Sequence, residues 1–163
     1  MSESELAQME PSYRQMQVVS FRLYKEIYAL NILYVQEIIK PLSVTHVPLA
    51  PPWIAGVVNL RGQIIPLIYL SRRLGLEQTS YQRNTRFVIV RSREQSVGFV
   101  VDEVLEVLQL NAEKTEPPPG HLDYREYIHA VSKQERGMVM VLDLNKILYH
   151  HPQARIDVLE EAL

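Results

Sequence analysis

The 163-residue chain contains no cysteine. Disulfides, thiolate metal sites and a cysteine nucleophile are thereby excluded, and the composition fits a reducing compartment such as the cytoplasm. Glycine is scarce at 6 residues, and no G-x-G-x-x-G or G-x-x-x-x-G-K-[ST] run occurs, so the common phosphate-cradling loops are missing. No apolar run approaches the ~20 residues that span a bilayer, so direct membrane insertion is not expected. Residues 1–14 are polar and acidic, without the basic start and apolar centre of a signal peptide, and read as a flexible tail. The formal net charge of -2 lacks the surplus of Lys and Arg that phosphate contacts need, which argues against a dedicated nucleic-acid binder.

Catalytic constellations are missing too. The five histidines, His46, His121, His129, His150 and His151, have no second ligand at metal spacing within one element, and no H-E-x-x-H occurs. Ser20, Ser71 and Ser132 lack a nucleophile-elbow context. The Asp102-Glu103 pair reads as the solvated end of a strand. No cofactor, metal or catalytic site is expected. Arg83, Arg86, Arg91 and Arg93 form the densest basic cluster. They read as the solvated ends of one strand, with an acceptor patch for phosphate or acidic protein as the alternative.

What the chain does have is sheet-forming apolar sequence: 47% apolar residues, with Val, Ile, Leu and nine Tyr prominent. Val18, Val19, Phe21 and Leu23 make a first strand, followed by a turn at Tyr24-Lys25-Glu26. Ile27–Leu33 and Val35–Ile39 continue extended. Pro52-Trp53-Ile54-Ala55-Gly56 reads as one helical turn closed by Gly56. Val57–Leu60 and Ile64–Leu70 flank a tight turn at Arg61-Gly62-Gln63. A brief helix at Ser71–Leu74 stops at Gly75. In the second half, Phe87-Val88-Ile89-Val90 is apolar on both faces and therefore reads as doubly buried. Val97–Val101, Val104–Leu110 and Met138–Leu144 follow as strands. Ile156, Leu159 and Leu163 lie at helical spacing opposite acids, which predicts an amphipathic helix over 151–163.

The two halves resemble each other. Tyr28–Ile39 aligns without gaps on Val97–Leu108, both reading apolar strand, polar step, then Val-x-Glu-Ile/Val. The offset, 97 minus 28, is 69, and it also places Pro48 on Pro117. Further on, Ile65–Leu70 aligns on Val139–Leu144. Each half is thus a string of about five short strands, which bury little as an open sheet and lose their exposed edges by closing into a barrel. The predicted fold is all-β: two SH3-like five-stranded barrels sharing a core, spanning roughly 17–85 and 86–150 of a domain at 15–150, with strand exchange between them left open.

The segment Ile54–Leu70, containing Asn59-Leu60-Arg61-Gly62, resembles the signature segment of CheW-like domains. Phe21-Arg22-Leu23, Tyr28-Ala29-Leu30, Val35-Gln36-Glu37-Ile38, Val97-Gly98, Val101-Asp102-Glu103-Val104 and Glu116-Pro117-Pro118 resemble that family in the same order. Tyr69 stands where the family usually has Asp, which Asp143 supplies in the second half. The resemblance implies a non-enzymatic cytoplasmic scaffold that joins chemoreceptor cytoplasmic tips to the regulatory domain of a CheA-type histidine kinase, in a pathway serving chemotaxis, pili or surface sensing. It makes Val35, Glu37, Asn59, Leu60, Arg61 and Gly62 candidate binding residues. Leu30, Ile32, Val35 and Val100 are candidates for an apolar receptor groove, against plain core packing as the alternative. Glu37 and Arg61 are expected to pair at the groove rim, and the repeat gives Glu37 an acidic counterpart in Glu106. A small-barrel nucleic-acid or ribosome-associated protein is the competing reading, and a small hydrolase the third.

Overall fold

The computed structural model describes residues 15–77, 80–119 and 126–149. Residues 1–14 and 151–163, with His121, His150 and His151, lie outside them, as do the tail and terminal helix predicted there.

Two sheets account for most of the chain. The first runs β8-β1-β2-β11-β10-β9 and the second β3-β6-β7-β5-β4. The strands are β1 (Gln15–Leu23), β2 (Glu26–Asn31), β3 (Val35–Ile39), β4 (Ile54–Leu60), β5 (Gln63–Tyr69), β6 (Arg86–Ser92), β7 (Gln95–Val101), β8 (Glu103–Asn111), β9 (Thr115–Glu116), β10 (Ile128–Gln134) and β11 (Gly137–Leu142). The β1–β2 hairpin of the first half lies in the sheet made by the second half's β8 to β11. The β6–β7 hairpin of the second half lies in the sheet made by β3, β4 and β5. The joins are equivalent parallel pairings, β11 on β2 and β5 on β7. The extra strand of the first sheet is the two-residue β9 on Val131 and Ser132, and its counterpart in the other sheet is a single bridge, Thr45 to Val57.

The exchange explains the hydrophobic pattern. Strand β6 sends Phe87 and Ile89 into an apolar cluster with Ala55, Val58, Leu67 and Val100, inside the second sheet's barrel. Its alternate residues, Val88 and Val90, enter a central cluster with Phe21, Leu23, Leu30, Phe99 and Leu142, which both sheets share. A strand buried on both faces cannot alternate polar and apolar residues, and β6 does not. A smaller cluster, Val18, Ala29, Leu110, Val139 and Val141, fills the first sheet's barrel.

Two expectations need correction. Ile54-Ala55-Gly56 opens strand β4 instead of forming a helical turn; only Pro52-Trp53 turns. Gly56 is not a helix stop. It has φ 144, and a Cβ there would sit 2.2 Å from the Thr45 carbonyl oxygen. Glycine is required because the Thr45 backbone closes on β4, with Thr45 N–H donating to Val57 O at 2.9 Å and Val57 N–H to Thr45 O at 2.8 Å. The last strand ends at Leu142, and Leu144 begins helix α2 (Leu144–Tyr149), the repeat partner of helix α1 (Leu70–Arg73). Asp143 Oδ1 accepts the Lys146 N–H at 3.1 Å and caps α2, whereas Tyr69 at the head of α1 makes no side-chain cap. That difference is the physical content of the Tyr69-for-Asp departure.

Candidate functional site

The hairpin between β4 and β5 presents the signature residues. Leu60 pairs with Gln63 across a two-residue turn, and both turn residues lie in the left-handed region, Arg61 at φ 51 and Gly62 at φ 86. Such a turn matches the strand twist and favours glycine at its second position. Asn59 Oδ1 accepts the Gly62 N–H at 2.8 Å, so three of the four residues of Asn59-Leu60-Arg61-Gly62 hold the loop's shape. The fourth projects: the Arg61 guanidinium donates to Glu37 Oε1 in an ion pair, with the Arg61 side chain 69% exposed and Glu37 26%.

That pair ties together the two edges of its sheet. Glu37 is on β3, one edge strand, and Arg61 is at the tip of the hairpin that contains β4, the other edge. The second half repeats the device. Glu106, on edge strand β8, faces Arg136, in the turn between β10 and β11, at 4.0 Å. The second pair is the looser one, with side chains 69% and 51% exposed.

The other candidates separate into surface and core. Val35 is half-buried against the central cluster, beside Gln36, whose Oε1 accepts the Ser96 hydroxyl at 3.0 Å. Ile32 is half-buried in the 3-10 turn Ile32–Tyr34 and, with the exposed Leu33, lines a cleft of about 570 Å³ at the open end of the first sheet's barrel. Leu30 and Val100 do not line a groove. Both are buried, in the central cluster and the second sheet's cluster respectively, because each points to the inner side of its strand. Leu60 is likewise a core residue, so within Asn59-Leu60-Arg61-Gly62 Arg61 alone offers a long side chain to a partner.

Sequence reading missed three features. Arg22 meets Asp102 at 3.8 Å and Glu103 at 3.4 Å where β7 passes into β8, and Asp102 Oδ2 accepts the Tyr24 N–H at 2.7 Å. Arg73 lies between the Trp53 and Tyr127 rings, 4.9 and 5.2 Å from their centroids, and donates to Ile147 O at 2.9 Å, joining the two short helices. Arg93, in the β6–β7 turn, stacks on Tyr149. No sequence signal joins residues this far apart, since each contact is made by the exchanged topology. Two tyrosines have displaced acidities: burial, then neighbouring Tyr69, pushes Tyr81 up to about 12, and burial raises Tyr127. Among the described residues no three His, Asp or Glu side chains converge as a metal site.

The CheW-like domain model matches residues 17–151, the whole two-sheet body. The chain belongs to the CheW-like family. It is 33% identical over 143 residues to the chemotaxis protein CheW of Helicobacter pylori, covering 87% of each chain. It is 35% identical to that of Klebsiella aerogenes, covering 84% of each. Protein PilI of Pseudomonas aeruginosa is a more distant relative at 25% identity, over 72% of this chain and 67% of that one. Among solved structures, the scaffolding protein TtCheW from Thermoanaerobacter tengcongensis superposes with a TM-score of 0.75 at 32% identity, covering 82% of this chain and 87% of that one. The two-subdomain CheW-like fold and a scaffold role in chemotaxis-type signalling accompany that membership.

Proposed function

We propose that this chain is a non-enzymatic cytoplasmic adaptor that couples the cytoplasmic tips of chemoreceptors to the regulatory domain of a CheA-type histidine kinase. It takes no cofactor and binds neither nucleic acid nor membrane directly. The observation that carries this reading is the Glu37–Arg61 rim. A left-handed turn holds a charged side chain onto Glu37, two residues along β3 from half-buried Val35, and exposed Ile64 follows the turn. A receptor tip is a helical hairpin, and a helix face docks on apolar surface flanked by a few fixed charges. The net charge of -2 and the lack of a Lys-rich stretch in the sequence disfavour a nucleic-acid role for the barrels.

The test is reconstitution. Purified chain is mixed with a soluble chemoreceptor tip fragment and a CheA-type kinase from the same organism, and sedimentation and kinase autophosphorylation are followed. The chain should join the receptor and kinase in one sedimenting complex and raise autophosphorylation only when both are present. A chain that sediments with neither refutes the adaptor role.

A further inference from the structure

We propose that the β6–β7 turn forms a carboxylate-binding pocket, centred on Arg93, that captures one acidic side chain of the docked receptor helix. This inference rests on the adaptor reading and identifies a specificity-determining residue for it.

The pocket has a volume of about 330 Å³ and is lined by Gln63, Ile64, Arg93, Glu94, Gln95 and Tyr149, among others. It continues the candidate site, because Gln63 and Ile64 directly follow the Arg61-Gly62 turn. The Ser96 hydroxyl at its edge holds Gln36, the neighbour of Glu37. Arg93 lies with its guanidinium carbon 3.9 Å from the centroid of the Tyr149 ring. Stacking on an aromatic face fixes the guanidinium plane and leaves its in-plane N–H donors for a planar acceptor. Among the described residues the cations found in ion pairs are Arg22, Arg61, Lys133 and Arg136, so Arg93 is an oriented cation with no carboxylate of its own.

Two further observations point to a ligand. Gln95 is 9% exposed, and its amide nitrogen has no hydrogen-bond partner among the described residues. A buried donor left unpaired is costly unless something supplies an acceptor. The turn itself places two side-chain-bearing residues in the left-handed region, Arg93 at φ 51 and Glu94 at φ 64. Hairpins of this shape ordinarily use Asn or Gly there, and strained backbone of this kind clusters at functional sites.

The chemistry selects the ligand class. One stacked guanidinium and one amide donor suit the two oxygens and single charge of a carboxylate. Glu94 in the same turn repels any anion, a phosphate dianion more strongly than a singly charged carboxylate, which leaves the carboxylate the better match. Ile64, 56% exposed at the mouth, offers the apolar contact that the stem of an Asp or Glu on a helix would cover.

The test measures binding of a soluble chemoreceptor tip fragment to the wild-type chain and to Arg93→Glu and Arg93→Gln, with Asp→Lys and Glu→Lys variants of the tip. Thermal melting beside each assay checks the fold. Arg93→Glu should weaken binding about tenfold or more and Arg93→Gln less, because a reversed charge repels where a neutral one only fails to attract. One acid→Lys variant of the tip should restore binding to Arg93→Glu while weakening it to wild type. If both Arg93 variants bind the wild-type tip within about twofold, or if no tip variant restores binding, the pocket is not a receptor subsite, although the adaptor reading survives. If Asp157→Lys, Glu160→Lys or Glu161→Lys within this chain restores Arg93→Glu instead, the pocket serves the chain itself and the proposal is overturned. If the wild-type chain binds no tip fragment, the adaptor reading fails and this inference fails with it.

Discussion

Replacing Arg61 with alanine should separate stability from binding. The Arg61 side chain is 69% exposed and Glu37 26%, so solvent screens most of their attraction. Exposed pairs of this kind contribute ~0.2–1 kcal/mol. The turn keeps its other supports in the variant, since the Asn59 to Gly62 hydrogen bond at 2.8 Å does not involve the Arg61 side chain. Alanine at φ 51 carries about the same left-handed penalty as arginine, so that penalty cancels. The sum predicts a melting temperature lowered by no more than ~4 °C in a chain of this size. Glu37→Ala should cost a similar amount, and the double variant should show a coupling of ~0.2–1 kcal/mol that fades in 1 M salt.

Binding should respond much more. If Arg61 is a rim anchor, its loss removes an interaction that is desolvated only in the complex, and receptor affinity should fall about tenfold or more. The assay is thermal melting paired with receptor-tip co-sedimentation, expressed per folded molecule. A melting temperature far below the predicted drop, with normal binding, would make the pair a structural clamp and refute the reasoning. Unchanged values for both would show that these two residues were misassigned.

Other outcomes follow from the packing. Phe99→Ala, in the central cluster at 0% exposure, should cost ~3–5 kcal/mol in denaturant unfolding, whereas Val107→Ala on the exposed side of β8 should stay within ~0.5 kcal/mol. Gly56→Ala should lower the melting temperature sharply or prevent recovery of folded protein, because its Cβ would meet the Thr45 carbonyl oxygen at 2.2 Å. Partial burial of the 42%-exposed Tyr81, then neighbouring Tyr69, holds its phenol neutral up to about 12, above its ordinary value of 10.0, so the unfolded chain loses that proton first as pH rises. Its contribution to stability should therefore be intact below pH ~10 and lost between ~10 and ~12, and Tyr81→Phe should flatten that part of the stability profile.

Much of this was legible because local chemistry wrote it. The doubly apolar Phe87–Val90 announced a strand buried on both faces, and the Arg61-Gly62 hairpin followed from its flanking strands. The repeat pointed to paired subdomains, and the family motifs pointed to Glu37 with Arg61. What stayed hidden depended on neighbours distant in sequence. Alternation tells which face of a strand is buried but not which strand lies beside it, so the exchange of β1–β2 for β6–β7 stays an open possibility in the sequence, and which hairpins cross over does not follow from it. Leu30 and Val100 stand as groove candidates with core packing as the alternative, because an apolar residue in a motif looks the same whether it faces a partner or a core. Gly56 was misread because proline and glycine punctuate both helices and strands. The stacking of Arg93 on Tyr149 joins a turn to a helix 56 residues later (149 minus 93), with no spacing rule to link them.

The exchanged hairpins also constrain how a scaffold of this design behaves under load. Each half contributes two strands to the other half's sheet, and both halves feed the central cluster. Neither sheet can open without removing strands from the other, so a pull on one barrel is resisted by the core of both. On the adaptor reading proposed above, a chain placed between two partners gains from that arrangement, because strands shared between the sheets leave no single-strand hinge between its two faces. The two Glu–Arg pairs then explain how similar barrels present different faces. In the second sheet Glu37 is largely covered and its arginine is held on it. In the first sheet Glu106 and Arg136 stand 4.0 Å apart, largely in solvent. Glu37, at 26% exposure, has less hydration to lose when a partner covers its pair than Glu106 at 51%, the two arginines being equally exposed at 69%. The duplicated device is therefore unequal by construction. On the adaptor reading proposed above, the Glu37–Arg61 face is the better suited of the two to a desolvating contact, while the open Glu106–Arg136 pair keeps charge at its sheet edge.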